Sequence, residues 1–287
     1  MRTAPLLAAI FFAVLCMSTA SIMIRLCVAP AMVIALYRVA FTTGLAGLIE
    51  GRNLRKNVTA IENRDFIYIL GAGFFLALHF AFWITSLSYT TVSSSVLFTN
   101  LQVVFVLVLS VIFLKEQLNR PVVIGIMVAL VGCLFIAGGD LSSGRILGDM
   151  LALASGLFVA IYFLIGRNIR PRVGTFTYTF VVSAAAVVIL LLGVILGGWS
   201  LTGYPALDWV LFFLMALGPG IGGHAILNWA LKYVQAPIVS VSILGESVGA
   251  SILAYFIFQE HLLWYQIVGG LLILAGIYTA SVHQTTK

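Results

Sequence analysis

Charge is what this chain has least of. Only 8% of its 287 residues are Asp, Glu, Lys or Arg, where an ordinary soluble domain carries about a quarter. With 62% of positions apolar, there is too little polar surface to coat a globule, and lipid must be the solvent for much of the chain. Cysteine is scarce as well. Cys16, Cys27 and Cys133 lie in apolar runs without CxxC or ligand spacing, which argues for packing residues and against a disulfide framework or a metal site. No cofactor is expected. HExxH and paired acids within one apolar run are missing, so no intramembrane enzyme is expected. The net charge of +6 does not imply a nucleic-acid partner, because the basic residues are scattered in short gaps and form no stripe. A long polar tail or loop is also lacking. The largest connection, Glu50–Asp65, is too short to dock a regulatory domain, and a monomer is expected.

What is present is hydrophobic length. A helix needs about 20 apolar residues to cross about 30 Å of hydrocarbon. Ten runs qualify: Pro5–Cys27, Ala31–Ile49, Phe66–Ser88, Val92–Leu114, Val122–Gly138, Leu147–Gly166, Thr175–Gly197, Trp209–Leu231, Pro237–Phe258 and Leu262–Val282. The runs are continuous and do not alternate, so they predict helices and not barrel strands. The first has no small-x-small exit site, and it reads as a retained span and not a cleaved signal. The expected class is an all-α integral membrane protein.

Orientation follows from the basic residues in the connections. With a cytoplasmic N-terminus, Arg2, Arg52, Arg55, Lys56, Arg64, Lys115, Arg120, Arg167, Arg170, Arg172, Lys232 and Lys287 fall inside, and Arg145 alone falls outside. Both termini are therefore expected in the cytoplasm and the protein in the cell (inner) membrane. The Asn57-Val58-Thr59 sequon lies on that cytoplasmic side and reads as chance.

The halves resemble each other. A shift of 144 residues places Leu87 on Leu231, Tyr89 on Tyr233, Glu116 on Glu260, Leu118 on Leu262, Gly125 on Gly269 and Gly132 on Gly276. Residues 1–139 and 146–282 then hold five spans each. Five is odd, so the halves must be inverted about an axis in the membrane plane, as in many secondary transporters. The glycine pairs predict that the fifth and tenth helices pack closely, on each other or against a neighbour.

At these landmarks the chain resembles the EamA family of the drug/metabolite transporter superfamily. The likeness is carried by Leu97-Phe98-Thr99-Asn100-Leu101-Gln102 leading to Leu114-Lys115-Glu116. It recurs in Leu244-Gly245-Glu246-Ser247 leading to Phe258-Gln259-Glu260, and in Ala35-Leu36-Tyr37-Arg38. Glu246 stands fourteen residues before Glu260, and Gln102 fourteen before Glu116. Val103 and Ser247 stand where the family often has proline, and Lys115 and Gln259 where it often has glycine. The resemblance implies a ten-helix carrier of small metabolites, amino acids or amphiphilic compounds.

Glu246 is the foremost candidate for function. It lies mid-span, where a charge usually faces a cavity or a partner. It could bind a substrate ammonium, carry a coupling proton, or pair with Arg38. Arg38 in turn could hold a substrate carboxylate or a protein one. His79 and Trp83 share one face of the third helix, and His224 and Asn228 one face of the eighth. The repeat aligns these two pairs with a one-residue slip, attributable to a loop insertion or deletion. Gln102 forms a polar stripe with Ser95 and Thr99, and Tyr162 and Tyr37 offer aromatic contacts. Arg25 is expected to snorkel to the outer interface. Gly218-Pro219-Gly220 followed by Gly222-Gly223 predicts a bend or break just before His224. Together these residues point to a secondary transporter of a small metabolite, an amino acid or amine-bearing compound foremost. A proton-coupled multidrug exporter is the alternative, and a channel a more remote one.

Overall fold

The computed structural model describes residues 3–114, 120–142, 144–230 and 236–282. All regular structure among them is helical. Among the described residues seven helices are long and apolar enough to cross a bilayer, and three shorter apolar helices accompany them. Continuous apolar runs bounded by polar, Gly or Pro residues put the helices where run length predicts.

In chain order the helices are α1 (Thr3–Ser18), α2 (Ala20–Leu26), α3 (Ala31–Glu50), α4 (Leu54–Thr59), α5 (Asn63–Ser86), α6 (Val92–Asn100), α7 (Gln102–Leu114), α8 (Arg120–Ser142), α9 (Ile146–Ile169), α10 (Thr175–Leu196), α11 (Ala206–Met215), α12 (Ile226–Ala230), α13 (Ala236–Phe258) and α14 (Trp264–Val282). Three spans expected as single helices are interrupted. The first breaks at Thr19, whose hydroxyl donates to the Cys16 carbonyl at 2.7 Å. The fourth breaks at Leu101. The eighth widens between α11 and α12 into a π-helical segment, Ala216–Ala225, that contains Pro219. Proline has no N–H to give and its ring crowds the carbonyl four residues back. The chain relieves this by taking up extra residues per turn. The expected bend before His224 is thus a widened helix.

Small residues set the packing. α8 lies against α14, and a Cβ built on Gly276 would stand 2.5 Å from both the Ala129 nitrogen and the Gly125 carbonyl oxygen. One on Gly132 would stand 2.5 Å from the Gly269 carbonyl oxygen. The two backbones touch, as the glycine spacing predicted. α9 offers Gly148, Ala152, Gly156 and Ala160 at four-residue intervals, and packs this stripe against α5, α6 and α7. Glu116, Leu118, Leu231 and Tyr233 lie outside the described residues.

The ends of α5 carry two ion pairs. In its first turn Asp65 accepts from Arg172 Nε at 2.7 Å and Nη2 at 2.8 Å. Beyond its last turn Arg25 donates to the Leu87 and Thr90 carbonyls and to Glu260 at 3.0 Å. Arg25 is therefore fastened to the protein and does not snorkel freely. Glu260 also accepts from the Val92 amide at 2.9 Å. The pairs flank a helix about 36 Å long, 24 residues at 1.5 Å each. Asp208, in the first turn of α11, accepts from the Val28 and Ala29 amides.

Candidate functional site

Arg38 is the organising charge. It sits in the middle of α3 and is 2% exposed. Its guanidinium carbon lies 4.3 Å from the centre of the Phe80 ring and 5.6 Å from that of Trp83, so two aromatic faces replace part of its lost hydration. Nη1 has no hydrogen-bond partner. Glu246, buried on α13, interacts with Arg38 through space. The two do not form a contact ion pair among the described residues. The close structural pairing considered from sequence is therefore replaced by two separated opposite charges.

The backbone explains how Glu246 is presented. The break in α1 brings Ser18 to α13, where its hydroxyl lies 3.5 Å from the Glu246 carbonyl oxygen. The break between α6 and α7 follows Asn100, whose amide donates to the Ser247 hydroxyl at 2.6 Å. Two helix interruptions thus bracket residues 246–247. The π-helical segment carries His224 to the edge of the Phe80 ring, 5.9 Å between centroids.

Arg38, Tyr162, His224 and Asn228 line one cavity with Thr42, Phe80, Thr179 and Ser183. Its free volume is about 30 Å³, room for two or three water molecules and for no metabolite. The Asn228 amide donates to the Tyr162 hydroxyl at 2.9 Å. His79 stands beside this cavity: its ring is parallel to Trp83 at 6.1 Å and its Nδ1 meets the Ser155 hydroxyl at 2.8 Å. Gln102 is buried at the start of α7, with its backbone facing Gly156. No hydrogen bond among the described residues links it to the other candidates. Tyr37 turns away altogether, its hydroxyl donating to the Leu201 carbonyl at 2.6 Å and its ring stacked on Phe212.

Phe80, Thr179 and Ser183 escaped the sequence reading. A phenylalanine in an apolar helix and hydroxyls on α10 carry no signal until Arg38 is placed beside them. Around the cavity, Arg38 Nη1, Trp83 Nε1, Thr179 Oγ1 and His224 Nδ1 are buried without partners. Each such group costs about 1–3 kcal/mol, a deficit that an acceptor-rich guest would relieve. The Glu246 carboxyl does not line this cavity and reaches it only through its electrostatic interaction with Arg38.

A second cavity, of about 340 Å³, opens beside the Asp65–Arg172 pair and is lined by Asn57, Glu62, Thr177 and their neighbours. It is large enough for a metabolite.

Residues 4–138 and 146–282 each match the EamA-like transporter family. The chain is 26% identical over 249 residues to the uncharacterized transporter YyaM of Bacillus subtilis (strain 168), covering 84% of this chain and 77% of that protein. It is 27% identical over 222 residues to an uncharacterized transporter of Archaeoglobus fulgidus, covering 74% and 75% respectively. A solved crystal structure superposes with a TM-score of 0.70 over 98% of this chain and 99% of the other, at 17% identity, a likeness of fold alone. With two matches spanning nearly its whole length, this multi-pass membrane protein belongs to the EamA-like transporter family.

Proposed function

We propose that the chain is a secondary active transporter of an amino acid or a related amine-bearing compound. Its substrate carboxylate meets Arg38, and its ammonium meets Glu246. The observation that carries this is a buried Arg38 with an unpartnered Nη1 on the cavity, in electrostatic reach of the Glu246 carboxyl without a contact ion pair among the described residues. A zwitterion completes both charges at once, and Phe80, Trp83 and Tyr162 supply apolar contact. A large amphiphile requires the cavity to open much further than an amino acid does.

Transport proceeds by alternating access between inverted repeats, residues 1–139 and 146–282, in the inner membrane with both termini cytoplasmic. Reciprocal contacts support the inversion. α5 of the first half meets the loop after α9 through Asp65 and Arg172. α11 of the second half meets the loop after α2 through Asp208 and the Val28 and Ala29 amides. The Asp65–Arg172 and Arg25–Glu260 pairs close opposite ends of the path, and the larger cavity is the cytoplasmic vestibule.

In liposomes the purified protein is expected to take up a labelled amino acid saturably and to exchange it against the same compound inside. Flux that stays linear to high concentration indicates a channel, and uptake of cationic dyes but no amino acid indicates the multidrug alternative. The cytoplasmic latch has its own test. Asp65→Asn removes the carboxylate from a pair whose arginine is exposed, and the population open on that side should rise about five-fold. A cysteine placed at Thr177 should then react about five-fold faster with a water-soluble thiol reagent. An unchanged rate removes the latch from the cycle.

A further inference from the structure

Away from the central cavity, two carboxyls meet where α8 ends and α9 begins. Asp140 and Asp149 are both 0% exposed and lie within hydrogen-bonding reach of each other. Their surroundings are asymmetric. Asp140 Oδ1 accepts from the Tyr265 hydroxyl at 2.7 Å, and its Oδ2 from the Ser94 hydroxyl at 2.9 Å. The direction of the second bond is fixed, because Ser94 Oγ is itself approached by the Gln266 amide at 2.9 Å, and that amide also donates to Thr91. Asp149 Oδ1 accepts from the Thr90 hydroxyl at 2.8 Å, whereas its Oδ2 has no partner.

Charge gives a second, independent argument. Among the described residues the two buried carboxyls face one nearby cation, Arg145, whose Nη1 is 3.7 Å from Asp140 Oδ1 and therefore not hydrogen-bonded to it. The other titratable groups named beside them among the described residues offer no positive charge. They are the Cys133 thiol on α8 and the Tyr265 phenol on α14. The neighbouring Arg25, which reaches the Thr90 carbonyl, is committed to Glu260. Two like charges at hydrogen-bond distance in a buried site do not both ionise.

We propose that Asp140 and Asp149 form a proton-binding site outside the central cavity, with the proton on Asp149 Oδ2 donated to an ionised Asp140. Asp140 takes two hydroxyl donors and is the carboxylate. Asp149 carries the one oxygen that needs a hydrogen. The site touches α6, α8, α9 and α14 together, and lies under the short connection through Gly144 and Arg145. A rearrangement on that side would open it to water and release the proton. Its part in coupling rests on the transporter reading, but the proton site itself does not.

Infrared difference spectroscopy decides the matter in the Glu246→Gln background, which removes the carboxyl proposed for the central site; the buried Asp65 and Asp208 accept from Arg172 and from the Val28 and Ala29 amides. A protonated-carboxyl carbonyl band is expected at neutral pH and should vanish in Asp149→Asn. That substitution keeps the Thr90 bond and places an amide N–H where the proton would be, so the fold should survive. Asp140→Asn should also lose the band, since Asp149 then faces an amide donor and no second charge. A band that persists in Asp149→Asn, or none before the substitution, overturns the site. With Glu246 intact, Asp149→Asn should retain substrate exchange and lose uptake driven by a proton gradient. Unchanged gradient-driven uptake overturns the coupling role. Should the native protein move no substrate at all, the proposed function fails while the infrared result still stands.

Discussion

Glu246→Gln should abolish concentrative uptake, and Arg38→Gln should weaken substrate binding about thirty-fold or more. Glutamine keeps the shape of Glu246 and removes its charge. A substrate ammonium then enters a buried site with nothing opposite it. Arg38 sits at 2% exposure with Phe80 and Trp83 against it, and truncating one partner of a desolvated charge pair typically costs about 2–5 kcal/mol, about thirty-fold at the lower end. The two charges do not touch in the unliganded cavity, so their losses should be separable. In Arg38→Gln, an amine without a carboxylate should lose little affinity, whereas the zwitterion should lose most of it. Calorimetric titration of both ligands reads this directly. Equal losses for the two would mean that Arg38 holds the fold and not the carboxylate. Native transport and native pH dependence in Glu246→Gln would remove that residue from the mechanism.

Gly276→Val should be the most destabilising single change outside the site. The Cβ of any residue there would stand 2.5 Å from Ala129 N and Gly125 O. Backbone atoms at both contacts leave no side chain to move aside. Overpacking usually costs about 1–3 kcal/mol, and here two helices must part along their seam, so about 3 kcal/mol or more is expected. Thermal unfolding in mild detergent should show a clearly lowered midpoint. A matching substitution at the lipid-side Gly138, where a Cβ meets nothing within 4 Å, should leave the midpoint almost unchanged. If both variants melt alike, the α8–α14 seam does not hold the fold.

Much of this architecture could be read before the coordinates. Helix positions follow from run length because lipid forbids unpaired backbone. The seam between α8 and α14 follows from glycine spacing, and Arg38 and Glu246 from being charges in apolar runs. The interruptions at Thr19 and Leu101 could not be read. Neither contains proline or glycine, and each is held by tertiary contacts: Ser18 on α13, Asn100 on Ser247. Gln102 shows the converse. Its fourteen-residue spacing to Glu116 matches that of Glu246 to Glu260, but spacing along a chain does not place a side chain in a cavity. Asp140 and Asp149 were passed over because each sits at the end of an apolar run, where a carboxylate usually reaches water. Only the fold reveals that the two ends meet.

The widened segment between α11 and α12 has a consequence for how the halves are compared. Asp65 and Asp208, each in the first turn of its helix, are 143 positions apart, whereas His79 and His224 are 145 apart. Between Asp208 and His224 lies the segment Ala216–Ala225, whose wide turns hold extra residues within the helix. Each surplus residue turns everything after it by about 100° around the axis. Ala216–Ala225 therefore works as a phase shifter. Ahead of it, Val210, Phe213 and Leu214 keep an exposed apolar face. At its end His224, and beyond it Asn228, line the cavity.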